Sequence, residues 1–369
     1  MKKILFIGLS IFAFACQNKK ESTQKEAVKK IAYDMYIGTY THKENFVDGK
    51  GEGIYHIQLD NNLTELSRSV IKDVENPSFV ILSADKKYLF STEELNPHGF
   101  ISSYNIENQE VRRLSRVSSH GGSPCHISLN LNGISGGDFL MSANYMGGNI
   151  AVFNVKNGVL SEATDSLKFE GRGKTARQEA SHPHEADYFD KETWSIPDLG
   201  LDKIHQVSID GNMKLKNWGN RHEIEAGAGA RHFAGNRYLL NELNSTINVY
   251  YDYMTPKKLQ TITTLPTDFK GKNWTAEIES TEKFVYASNR GHNSIAMYKK
   301  LADGTLESLG FEPTRGEFPR GFSITPDGKY LFCGNQNTDN IVFFEIQNDG
   351  KLKYLKEIKV NTPVCIAFK

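Results

Sequence analysis

The sequence predicts an all-β fold, a seven-bladed β-propeller closed by pairing of its N- and C-terminal strands. Three observations predict it. A unit made of a hairpin and a further strand recurs along the chain, its period lies in the forties, and the last copy stops after one strand. The unit is cleanest from Phe318 to Ile346, where Phe322 and Ile324 alternate with smaller neighbours and Thr325 to Lys329 (TPDGK) breaks the chain. Tyr330 to Cys333 then returns as a second apolar run, and Ile341 to Ile346 forms a third strand. One such sheet cannot bury both of its faces alone, so copies must stack.

Taken in order, the chain starts with Lys2 and Lys3, a short apolar run from Ile4 to Phe14, and Ala13-Phe14-Ala15-Cys16. The run is too short to span a bilayer comfortably, and its ending is similar to a bacterial lipobox, with Ala13 where Leu is usual. Residues 1–16 are therefore expected to be a lipoprotein-type signal, with Cys16 the lipidated residue; an ordinary secretory signal is the alternative. Residues 17–31 are polar and lack aromatics, which predicts a flexible tether. The protein is then expected to be exported, as a periplasmic or outer-membrane lipoprotein of a bacterium.

From residue 32 to 369 the chain reads as the propeller. The copies begin at Asn76, Ser123, His182, Gly229, Thr275 and Phe318, with TPVCIAFK at the end. With Pro77, Pro124, Pro183, Ala230, Ala276, Pro319 and Pro363 as anchors, the steps are 47, 59, 47, 46, 43 and 44 residues. The strands missing from the last copy are supplied by MYIGTY from Met35 and GIYHIQL from Gly53, which closes the ring and removes open sheet edges.

Lys plus Arg and Asp plus Glu are 44 each, so no global field favours nucleic acid or an acidic membrane. Membrane contact is expected only through the N-terminal lipid. Besides Cys16 there are Cys125, Cys333 and Cys365, an odd set with no CxxC spacing; buried small hydrophobes, not a disulfide framework, are expected.

The innermost strands of a propeller line one channel, so a site is assembled from equivalent positions of different blades. The residue after each anchor is Ser78, Cys125, His184, Arg231, Glu277, Arg320 or Val364. A second column is Asn144, Asp198, Asn241, Asn289 and Asn335, which suits a turn-forming role. The residue following it varies: Tyr145, Leu199, Glu242, Arg290, Gln336. Positions that serve the fold should look alike in every copy, whereas positions serving one asymmetric ligand should differ. That test selects His184, Arg231, Glu242, Glu277, Arg290 and Arg320, the competing role being ion pairs between blades.

Other patterns carry less. His182-Pro183-His184-Glu185 has metal-like spacing but no third ligand fixed by sequence. Gly49, Gly51 and Gly53 lack the strand-to-helix setting of a nucleotide loop, and no GxSxG is present, which argues against a serine hydrolase of the α/β kind. Tyr250, Tyr251 and Tyr253 with Trp274 could form an aromatic rim patch for a glycan or protein partner, the mark of a non-catalytic propeller.

The strings YIGTYT (from Tyr36), NPSF (Asn76), GGSPCHISL (Gly121), ANYMGGNIAVF (Ala143), HPHEAD (His182), GARH (Gly229), LNELNST (Leu240) and SNRGHNSIAMY (Ser288) together resemble the seven-bladed lactonase family. That family contains propeller-type 6-phosphogluconolactonases and carboxymuconate lactonizing enzymes. The resemblance implies hydrolysis of a sugar lactone, or the reverse ring closure on a muconate. It also implies catalytic roles for His184 in HPHE, Arg231 in GARH, Glu242 in NELN and Arg290 in SNRGH. His126, Glu277, Arg320 and Gln336 are expected to contact the substrate. On this reading Glu242 or His184 takes a proton from water while Arg231 and Arg290 hold the oxyanion. The partner is a small-molecule lactone, and the scheme calls for no cofactor and no metal.

Overall fold

In the computed structural model of the chain, seven four-stranded antiparallel sheets form a ring, a seven-bladed β-propeller. The structure describes Met1 and residues 30–44, 47–107, 111–130, 138–190, 193–220, 222–235, 237–251 and 257–369. Cys16 and the signal-like run, most of the tether, and Tyr253 lie outside the described residues. No helix among the described residues is long and apolar enough to cross a membrane.

Blade 1 is built from both ends of the chain. Its innermost strand, Pro363–Phe368, pairs with Tyr33–Thr39, which continues to Ile54–Leu59 and Glu65–Ile71. Met35 faces Phe368 and Ile37 faces Ile366 across that seam. The sheet ladder closes the ring with backbone hydrogen bonds, so neither end presents an unpaired edge. Blades 2 to 7 follow in chain order and begin at Val80–Leu82, Pro124–Asn130, Asp187–Asp190, Ala230–Ala234, Trp274–Ser280 and Pro319–Ile324.

The second and third strands of each blade are almost wholly buried, as in Tyr330–Asn335 and Asn340–Ile346, while the fourth keeps an exposed face. Seven apolar clusters account for this, each straddling one blade–blade boundary. Phe332 and Phe343 of blade 7 pack on Met35 and Ile57 of blade 1, and Trp194 of blade 4 packs on Phe139 of blade 3. Each blade thus buries both faces, one against each neighbour, and burying these side chains contributes about 1.5–3 kcal/mol apiece. Cys125, Cys333 and Cys365 are buried free thiols.

The column holds the fold together in two ways: Asp198 accepts the Leu201 N–H of its own turn and Asn241 donates to Thr246 across its turn, while other members reach the neighbouring blade. Asn144, Asn289 and Asn335 donate from Nδ2 to the carbonyls of Ser119, Thr264 and Thr314, each in the connector that arrives from the preceding blade. A buried side-chain amide thus satisfies a buried carbonyl and ties consecutive blades.

Candidate active site

A recurring backbone irregularity aims side chains into the channel. In blade 5, Ala230 pairs with Asn241 and His232 with Leu240, leaving Arg231 as the extra residue of a β-bulge. The same step falls at Cys125 in blade 3, Arg320 in blade 7 and Val364 in blade 1, and Pro183 pairs with Asp198 just before His184. A bulge bends the strand and turns one side chain off the regular pleat, which is why the residue after the anchor reaches the axis.

Register corrects one assignment. In blade 6 it is Thr275, not Ala276, that faces the column asparagine, Asn289. Ala276 therefore stands level with Arg231, and Glu277 belongs to the next layer with Phe79, His126, Glu185 and His232. The channel has two layers. One opens on a cavity of about 580 Å³, lined among others by Glu94, Tyr145, His184, Glu242, Arg290 and Arg320. The other faces the opposite mouth, where Glu277 and Glu279 line a space of about 290 Å³.

Glu242 is the centre of the upper layer. Its Oε2 accepts from Arg290 Nη2 at 2.8 Å and from Arg231 Nε at 3.0 Å, and its Oε1 from Arg177 Nη2 at 3.2 Å. Burial alone would raise this carboxyl, but Arg290, Arg231, Arg177 and Arg320 outweigh it and hold the group at about 2. Glu242 is thereby a permanent anion with its lone pairs already engaged.

The arginines differ in what they have left to give. Arg231 spends Nη1 on the Ala276 carbonyl and the His232 ring, and it does not line the cavity. Arg290 places Nη2 on both Glu242 and the Thr275 carbonyl, at 2.7 Å from the latter, and burial pulls it down to about 10 despite Glu242. Arg320 makes no hydrogen bond among the described residues. It lies 3.9 Å from Glu94 and over the Tyr40 ring, and Glu94 is itself held by Tyr40 Oη at 2.8 Å and by Ser78 Oγ. Its guanidinium donors are left for something in the cavity.

His184 is buried, with Nδ1 3.2 Å from His232 Nε2, leaving Nε2 for the cavity it lines. Burial first, then Arg231, His232, Arg320 and Arg290, press it well below the ordinary histidine range, so the ring is neutral. The Tyr145 ring stands edge-on to it and stacks on His182. Burial raises the Tyr145 phenol to about 12, so it stays protonated beside the anionic Glu242.

Of the residues selected from sequence, the structure gathers His184, Glu242, Arg290 and Arg320 at the cavity and places Arg231 just beneath it. His126 and Glu277 do not line that cavity: His126 packs on Phe79 and accepts the Ala186 N–H, and Glu277 pairs with His232 at 2.9 Å. Gln336 also stands outside the lining, its Nε2 turned to Asn337. Tyr250 is fully buried, Tyr251 is exposed and Trp274 lines the cavity, so these aromatics share no single rim patch.

Sequence comparison missed Glu94, Tyr40, Arg177 and His232. Glu94 and Tyr40 occupy the varying column, but Glu93 and Thr39 stand where the flag residue Asn is expected. Arg177 sits on a short 3-10 turn, Ala176–Gln178, in the connector between blades 3 and 4. The anomalous 59-residue step was the available signal for it. Gln178 braces that turn by accepting the Lys174 and Thr175 N–H groups and donating to the Leu199 carbonyl.

No group of three or more His, Cys, Asp or Glu side chains suited to a metal occurs among the described residues. In HPHE, His182 faces the Tyr145 carbonyl and Glu179, whereas Glu185 accepts the Phe233 N–H in the lower layer, so the string does not converge. What the cavity offers is a neutral imidazole facing uncommitted arginine donors, a combination that receives a proton and stabilises an anion.

The chain as a whole resembles known proteins. A family model described as a seven-bladed β-propeller lactonase matches residues 34–368. The chain is 30% identical over 354 residues to a 6-phosphogluconolactonase of Bacillus subtilis (strain 168), covering 91% of this chain and 98% of the relative. Among solved structures, a protein from Lactobacillus plantarum superposes with TM-score 0.82 at 30% identity, covering 91% of this chain and 99% of that one. A protein of Bacteroides fragilis, provisionally assigned as a 6-phosphogluconolactonase, superposes with TM-score 0.80 at 30% identity over 91% and 98%.

Proposed function

The chain belongs to the seven-bladed β-propeller lactonase family, and from that premise we propose that it hydrolyses a sugar lactone in the upper cavity. One observation carries the reading: His184, a neutral imidazole with Nε2 uncommitted, shares a cavity of about 580 Å³ with Arg320 and Arg290. Glu242 is too weak a base for the alternative role, because Arg290, Arg231, Arg177 and Arg320 hold it as an anion at about 2.

In the proposed step, His184 Nε2 removes a proton from water as the oxygen attacks the lactone carbonyl carbon. Arg320 and Arg290 donate to the oxygen that becomes negative, which fixed donors in a partly dry site stabilise without reorganising. The tetrahedral intermediate collapses with cleavage of the ring C–O bond, and His184 returns its proton to the leaving alkoxide. The product is the open hydroxy acid. Arg231 keeps Glu242 in place, and Arg177, reaching in from the connector, meets any phosphate or carboxylate on the substrate.

The name of the Bacillus subtilis relative puts 6-phosphogluconolactone in the test panel, while the export expected from residues 1–16 favours an unphosphorylated lactone. The purified protein is to be assayed with δ- and γ-lactones of aldonic acids, with and without phosphate, by acid release at constant pH. Hydrolysis above the spontaneous rate, abolished in His184→Gln, is the expected result; parental rates in that variant would sink it. Fatty-acid labelling of wild type but not Cys16→Ser tests the proposed anchor.

A further inference from the structure

The upper and lower layers are joined by one continuous line of side chains: Glu277 Oε1 to His232 Nδ1 at 2.9 Å, then His232 Nε2 to His184 Nδ1 at 3.2 Å. We propose that Glu277 and His232 are positioning residues that hold His184 with its proton on Nδ1 and its Nε2 lone pair turned to the cavity. This rests on the reading of that cavity as the hydrolytic site, and it explains why a carboxylate absent from the cavity matters to it.

Donor and acceptor bookkeeping gives the direction. Glu277 accepts the Ile278 N–H at 3.0 Å on the same oxygen that meets His232. Burial pushes its carboxyl up, but His232 and Arg231 outweigh that and keep it charged, so it only accepts. His232 must therefore carry its proton on Nδ1. Burial and Arg231 lower His232 against Glu277, so the ring is neutral and Nε2 is bare. Arg231 Nη1 lies 3.3 Å from both His232 ring nitrogens and so does not choose between them; the Glu277 oxygen on Nδ1 does. The remaining partner, His184 Nδ1, then has to donate, and its Nε2 is left unprotonated. The Cys125 thiol, 3.9 Å from His184 Nδ1, comes closer to the His184 carbonyl at 3.5 Å and donates there, and burial keeps it protonated.

The same line supplies countercharge. When His184 accepts a proton it becomes a cation facing Arg231, Arg290 and Arg320, with the Tyr145 phenol and Cys125 thiol neutral beside it. Around His232 stand Arg231, His126 and Glu277, and of these only Glu277 is an anion. Holding the ring's tautomer and stabilising the new cation with a fixed negative charge, with no proton passing to it, is the role the buried carboxylate plays for histidine in hydrolytic triads on unrelated folds.

The test uses full-length protein labelled with ¹⁵N-histidine, with His184→Gln and His232→Gln assigning the two rings. In native protein His184 is expected to show a protonated Nδ1 and a bare Nε2. Glu277→Met, which removes acceptor and charge, should mix the tautomers and lower kcat by roughly 10²-fold with KM within about twofold. Glu277→Gln retains an acceptor, so it should keep the tautomer while moving the acid limb of kcat/KM to lower pH. A protonated Nε2 on native His184, or a Glu277→Met protein with native tautomer and kcat, overturns the proposal. The spectrum decides the tautomer even for a protein that opens none of the lactones offered, so this inference and the hydrolytic reading fail separately.

Discussion

Glu242 and Glu185 are buried to nearly the same degree in one channel, yet their chemistry is opposite. Glu242, at the upper cavity, meets three arginines and is held at about 2. Glu185, a layer below, has Phe233 N–H as a hydrogen-bond donor and the Asp187 and Glu277 carboxylates as neighbours. Burial and those charges raise it well above the ordinary carboxylate range. Glu279, which accepts the Ile324 N–H from the next blade, is likewise raised by burial, to about 8. The degree of burial is therefore not what sets the charge of these groups. The upper layer gathers cations that fix an anion and keep donors to spare, and the lower layer uses carboxyls as blade-to-blade hydrogen-bond acceptors.

The strongest way to break this contrast is to neutralise each glutamate in turn. Glu242→Gln leaves Arg231, Arg290 and Arg177 without their anion and should cost about 3–5 kcal/mol of stability, along with most lactone turnover. Glu185→Gln exchanges one neutral acceptor for another and should cost less than about 1 kcal/mol at neutral pH. Denaturant titrations of both variants measure this; equal losses would mean that burial, not the arginines, governs both sites.

Next in size is Arg320→Gln, which removes the guanidinium that makes no hydrogen bond among the described residues. It should lower kcat/KM by roughly 10- to 100-fold while lowering the melting transition only modestly, since inside the protein it gives up a 3.9 Å contact to Glu94 and its place over the Tyr40 ring. A kinetic profile indistinguishable from wild type would remove Arg320 from the anion site.

The pH dependence of stability sharpens the comparison further. Glu242 has a folded value below its unfolded one, so its contribution is complete above about 4.5 and is lost as pH falls toward about 2. Glu279 is the reverse: the folded state holds the proton more tightly, so stability declines as pH rises from about 4.5 to about 8. Each proton contributes a slope of at most about 1.4 kcal/mol per pH unit. Glu279→Gln should make the neutral-side decline shallower, leaving the part due to Glu185 and Asp187, and should keep the acid-side loss intact, which urea midpoints across about pH 2–9 would read.

The smallest effect is expected at Arg177. Its side chain is 51% exposed, and an exposed ion pair contributes about 0–1 kcal/mol. Arg177→Ala should leave stability within that range and raise KM by roughly threefold for a phosphorylated lactone, and less for a neutral one. Equal KM changes for the two substrates would exclude a role in meeting the phosphate.

How far this site was legible can be followed residue by residue. His184, Arg231 and Arg320 were found because the bulge after each anchor recurs at a recognisable Pro or Ala, and Glu242 and Arg290 because Asn241 and Asn289 flag the turn before them. Glu277 was read one layer too high, because nothing in the string WTAEIES shows that Thr275 rather than Ala276 faces Asn289. Glu94 was passed over because Glu93 replaces the flagging asparagine and its turn is longer. Arg177 lies in a connector that belongs to no repeat.

The sequence by itself determined the ring: a period in the forties, turn residues at fixed offsets, and a last strand completed by the first, all of them local patterns that repeat. Only the tertiary structure decided which charges meet. Glu242 and Arg177 are 65 positions apart, and Glu277 and His232 are 45 apart. Their pairing depends on the bulge that rotates each side chain and on the angle between blades, which no local pattern encodes. The ionisation of each group follows from those neighbours, so its chemistry could be assigned only once the ring had closed.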